Sequence, residues 1–119
     1  MAQTIAKMPE KFKKIKKMAL GKDYALSFSF ATSARMRKLN LIYRNINKPT
    51  DILSFPLSEN EGEIYISRVE ARKEAKKFDR SFENFLDFLF IHGCVHLAGY
   101  DHSKKMEREE ILLRNRFRV

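Results

Sequence analysis

All three histidines of this chain fall within eleven residues: His92, Gly93, Cys94, Val95, His96, Leu97, Ala98, Gly99, Tyr100, Asp101 and His102. No other feature constrains the fold as tightly. On a helix, positions 92 and 96 lie one turn apart on one face, so both imidazoles can reach a single ion. Gly99 can end that helix in a left-handed conformation, turning the chain back so that His102 meets the same point. Three neutral nitrogen ligands leave a fourth tetrahedral position to water, which is how catalytic zinc sites differ from closed structural ones. Zinc suits the donors best, although imidazole also accepts nickel, copper and iron. An ion in such a site polarises the bond under attack and lowers the pKa of its water toward about 7, so hydrolysis is the expected chemistry.

The intervening residues have their own readings. Cys94 lies about 200° around the helix from both His92 and His96, which turns it away from the ion and into the core. Asp101 either orients an imidazole or caps the last helix; the sequence leaves both open. Gly93 occupies the place of the glutamate in the peptidase pattern H-E-x-x-H, so a peptidase mechanism of that type is disfavoured.

The rest of the chain reads as one domain over residues 1–119, a length that can bury one modest core. Ile5, Met8, Phe12, Ile15 and Ala19 follow a helical spacing, with Gly21 as the stop. Leu26, Phe28 and Phe30 alternate with serines in the pattern of a half-buried strand. Thr32 or Ser33 caps a helix that carries Met36, Leu39 and Tyr43 and ends at Arg44, before Asn45, Asn47 and Pro49. Asp51–Leu57 and Glu63–Ile66 are short strands joined by a polar turn over Ser58–Gly62, and Pro56 confines the first to a sheet edge. Ala71, Ala75 and Phe78 predict a helix over 68–78. Ser81 caps the apolar helix leading into His92, and a last helix runs from about Ser103 to Phe117. The order predicts an α+β fold: a small mixed sheet covered by helices, with a zincin-like metal helix.

Charge narrows the partners. The formal net charge is +9, and residues 1–22 hold seven lysines against Glu10 alone. A basic amphipathic helix of this kind favours phosphate backbones or an anionic surface, while its apolar stripe is covered more often by the protein's own core than by a membrane. Plain solubility is the competing explanation of the charge. The richest apolar run, Phe82 to Ile91, is shorter than the roughly 20 residues that cross a bilayer and is broken by Glu83, Asn84 and Asp87. The single cysteine and the lack of a secretory pattern predict a cytoplasmic location with no membrane partner.

The run HGCVHLAGYDH resembles the signature H-G-x-x-H-L-x-G-Y-D-H of the YbeY endoribonucleases at every fixed position. LNLIYRNINKPTDILSFP, from Leu39 to Pro56, is similar to a second motif of that family, and GEIYIS, from Gly62 to Ser67, to its Gly-Asp-Ile strand; together they cover about residue 24 to the end. The resemblance implies a metal-dependent, single-strand-directed endoribonuclease acting in rRNA maturation and ribosome quality control. It implies zinc or a related ion on His92, His96 and His102. It places the family's arginine on Arg44, where a guanidinium could bind the scissile phosphate and stabilise developing charge. Single-stranded RNA and components of the small ribosomal subunit are the implied partners. Asn45 and Asn47 stand where the family usually has Gly and Asp, and Glu63 where Asp is common. The start is short of the family's usual first strand, and the last helix lacks about one turn of its acidic segment.

Two further functions fit the same residues. A non-enzymatic ribosome-associated factor would use the metal as a staple between helix end and loop, and the basic helix to hold rRNA. A metal hydrolase of another substrate class would share the site but cut a different ester or amide.

Overall fold

The computed structural model describes residues 8–99 and 104–119. Ile5, Tyr100, Asp101, His102 and Ser103 lie outside them, so the expectations that rest on those residues concern positions beyond the described part. Eight elements follow in the predicted order: α1 Glu10–Leu20, β1 Ala25–Phe30, α2 Ser33–Arg44, β2 Ile52–Ser58, β3 Glu61–Ile66, α3 Arg68–Lys77, α4 Phe82–Leu97 and α5 Lys104–Phe117. The fold is α+β, with one mixed sheet among the described residues in the order β1-β3-β2.

Local chemistry explains most of these boundaries. Thr32, Ser67 and Ser81 each accept a backbone N–H from three residues ahead, satisfying a donor that the first helical turn would otherwise leave orphaned. Gly21 and Gly99 end their helices at φ +93° and +97°, a region that costs glycine nothing. β3 pairs in parallel with β1 and antiparallel with β2, which leaves β2 at an edge. Pro56 sits on that edge strand, next to a register shift, where its missing N–H breaks no central ladder.

Three local expectations need correction. The β2–β3 connection is shorter than Ser58–Gly62: Glu61 and Gly62 belong to β3, because Ser58 pairs with Glu61 and Pro56 with Gly62. Phe78 is no member of the buried stripe of α3; it follows the helix end, is 58% exposed and packs its ring on Phe85. Tyr43 likewise continues the spacing of Met36 and Leu39 but stands 64% exposed, while the polar Asn40 takes the buried position.

Asn40 is buried for a reason. Its side-chain amide donates to the Lys48 carbonyl at 2.9 Å, fastening the loop after α2 back onto the helix. That loop begins with Asn45 at φ +58°. Glycine is the cheapest residue for such a conformation and asparagine among the next cheapest, which accounts for this departure from the family pattern in backbone terms. Asn47 accepts from the Arg37 guanidinium at 2.9 Å, so it too serves the loop.

The core lies between α4 and the sheet. Phe12 of the lysine-rich helix stacks on Phe90 of α4 at 4.1 Å between ring centroids, and with Ile15 it is buried. The protein's own core therefore covers the apolar stripe of α1. No helix among the described residues is long and apolar enough to cross a membrane. Gly93 lets α4 approach the sheet closely, since a Cβ there would stand 3.0 Å from Cδ1 of both Ile52 and Ile64. Because strand side chains alternate, Leu53, Phe55, Glu63 and Tyr65 point to the opposite face. α2 covers that face, with Tyr43 on Phe55. The edge strand β2 is thus flanked by α4 on one side and α2 on the other.

Candidate active site

α4 combines an apolar stretch with two interruptions. Ile91, Gly93, Cys94, Val95 and Leu97 are buried, whereas His92 and His96 are only half-buried. The one-turn spacing puts both on one side of α4, and both imidazoles line one cleft of about 510 Å³. Tyr43 and Arg44 from α2 line the same cleft, with Ile52, Ser54 and Phe55 of β2 between. The cleft therefore wraps around the exposed edge of β2. A larger cavity, about 610 Å³ between α1, α4 and α5, has no histidine among its described lining residues. Chemistry, and not size, singles out the cleft on β2.

Each histidine is held from behind. His92 Nδ1 meets Glu110 Oε1 at 2.9 Å, and that carboxylate is 16% exposed. The hydrogen bond to Glu110 raises the His92 pKa above its usual 6.5, against the opposing effect of burial. Ser54 Oγ lies 3.4 Å from His96 Nδ1. A carboxylate on one ring nitrogen fixes the tautomer and the ring plane and leaves ligation to Nε2, which is how metal-binding imidazoles are supported. The donor set of His92 and His96 with this support fits a divalent transition metal. His102 and Asp101 lie outside the described residues.

The arrangement contains two groups that local patterns did not single out. Ser54 follows from β2 alternation once α4 is known to pack on Ile52. Glu110 carries a readable signal: Met106, Leu113 and Phe117 form an inward stripe on α5, and a carboxylate sits in the middle of it. An acidic residue on a buried stripe needs a partner, and His92 is that partner. Burial drives the Cys94 thiol pKa strongly upward, and the residue is fully enclosed, as its helix position predicts.

Arg44 completes the other wall. It is exposed at the last turn of α2, and no ion pair engages it among the described residues. Glu63 lies on the sheet face away from α4 and receives a hydrogen bond from Tyr65 at 3.4 Å.

Known proteins resemble the chain along most of its length. The family model described as Endoribonuclease YbeY matches residues 1–117. The Endoribonuclease YbeY of Aquifex aeolicus is 38% identical over 108 residues, covering 85% of this chain and 72% of that protein. The protein of the same name from Acholeplasma laidlawii is 36% identical, covering 75% and 68%. In the relative from Alkaliphilus metalliredigens the match covers 64%, so the chain spans about two thirds of the length of such relatives. A Thermotoga maritima protein of known solution structure superposes with a TM-score of 0.68 at 29% identity, over 98% of this chain and 88% of that one. The chain belongs to the YbeY family of endoribonucleases, hydrolases that cut RNA internally.

Proposed function

We propose that the cleft around β2 is the RNA-cleaving site of a metal-dependent endoribonuclease of rRNA maturation, with a divalent metal on His92, His96 and His102. The observation that carries this reading is the convergence of His92 and His96 from α4 and Arg44 from α2 on one cleft. A divalent ion held there, zinc by donor preference, supplies Lewis-acid charge at the phosphate.

The protein's own residues do the rest. Glu110 fixes the ring of His92, and Ser54 that of His96, so the donors are positioned before the ion arrives. Arg44, engaged by no ion pair among the described residues, offers a guanidinium fork to the scissile phosphate from the opposite wall. A phosphodiester between the walls has positive charge on both sides, which stabilises a transition state richer in negative charge than the substrate. An extended single strand, whose bases are free to turn outward, can present its phosphate to both walls. The net charge of +9 attracts a polyanion, including rRNA within a ribosomal subunit. The chain works in the cytoplasm, in maturation of rRNA and in ribosome quality control, as one catalytic domain.

His96→Ala tests the reading. The variant should fold, judged by circular dichroism and melting, and should lose cleavage of single-stranded RNA. Undiminished cleavage by a folded, metal-free variant would remove the metal from the mechanism.

A further inference from the structure

Resting on the reading of this cleft as an RNA site, we infer that Tyr43 is a base-stacking platform that seats one unpaired nucleotide beside the phosphate held by Arg44. Tyr43 is the neighbour of Arg44 in the last turn of α2, yet the residue is 64% exposed. One face of the ring is backed by Phe55, with centroids 4.8 Å apart and planes inclined at 46°. Backing on one face leaves the other for a planar partner. Phe55 is itself half-buried in β2 and meets Tyr65 at 6.2 Å, so the platform is anchored in the sheet and is not a free side chain.

The occupant follows from the surroundings. Tyr43, Phe55, Arg44, His92 and His96 line one cleft, none of whose described lining residues is acidic. An aromatic face beside an exposed guanidinium suits a ligand carrying a flat ring and a negative charge one bond network apart, which is a nucleotide. A base stacks by its π-face regardless of identity, so Tyr43 would select for single-stranded character and not for sequence. In a duplex the same base is occupied by its own stack and cannot reach the ring. The loop after α2 keeps the platform in place: Asn40 ties Lys48 to the helix, and Asn45 ends it in a left-handed turn.

The test combines protein and substrate changes. Short labelled single-stranded oligoribonucleotides, intact or with one abasic position moved through the sites flanking the cut, are measured for binding and cleavage with the full chain and its variants. Tyr43→Ala should raise KM for the intact strand about tenfold, with the loss falling on KM more than on kcat. For the native chain one abasic position should produce a loss of similar size, and for Tyr43→Ala that same position should cost nothing further. Tyr43→Phe keeps the ring and should restore the intact-strand affinity. Equal losses in Tyr43→Phe and Tyr43→Ala would assign the contact to the hydroxyl and overturn stacking. Native binding by Tyr43→Ala would also overturn it, and would move the ring, with exposed Leu41 and Ile42, to a protein-contact patch. The underlying nuclease reading fails separately: if the native chain binds these strands through Tyr43 but cuts none, stacking stands and catalysis falls.

Discussion

On α4, every neighbour of His92 and His96 from Ile91 to Leu97 is buried and each imidazole has a polar side chain behind it; at the end of α2, Tyr43 and Arg44 face solvent and Arg44 has no ion pair among the described residues. One wall of the cleft is built dry and supported; the other is left open. The difference matches the two tasks proposed for these walls. Ligands for an ion must be positioned in advance, because reorganisation at the moment of reaction costs catalysis. Groups that receive a substrate must stay accessible until it arrives.

The comparison can be broken at either wall. Arg44→Ala should lower kcat/KM for RNA by about 10²–10³-fold, as loss of a group aimed at developing charge does, with metal content unchanged. If metal content fell with it, the walls would not be separable. Glu110→Gln should reduce metal affinity or activity by about 10–100-fold, measured by competition with a chelator. In the metal-free protein the same change has a pH signature. Because Glu110 raises the folded-state pKa of His92, the pair adds stability that is full below the unfolded value near 6.5 and disappears as pH rises through the higher folded value. The gap in melting temperature between native and Glu110→Gln proteins, both stripped of metal, should therefore shrink from acid to neutral pH and above. A gap that widened instead would remove the ion pair. The smallest effect concerns the support of the α4 wall. Gly93→Ala puts a methyl group 3.0 Å from two isoleucine termini, a strain of about 1–3 kcal/mol that the better helix propensity offsets by about 1. A fall in melting temperature of up to about 8 °C is expected, and a rise would show that Ile52 and Ile64 yield to the added methyl group.

The legibility of these features in the sequence follows the range of the interactions. Thr32 and Ser81 act on N–H groups three residues away, and His92 and His96 on one helical turn, so all were readable from spacing. Arg44 is readable only through resemblance to a motif, since nothing local distinguishes it from a solvated helix end. The stripe on α5 marks Glu110 as a carboxylate in need of a partner, but the partners of Glu110 and Ser54 lie 18 and 42 residues off, and only the packing of α5 and β2 on α4 joins them. Tyr43 misleads for the opposite reason. Its spacing says core, but Asn40 holds the buried position because it ties down the loop, and the ring is displaced to the cleft.

The central claim is that the histidine wall holds the metal on which RNA cleavage depends. Its most direct test is metal content and cleavage of a single-stranded RNA, measured together on the native chain and on the His92, His96, His102→Ala triple variant. The account predicts about one metal ion per native chain and specific cleavage, with both lost in a variant that still folds. Stoichiometric metal without cleavage in the native chain, or cleavage that survives in the metal-free variant, would contradict it.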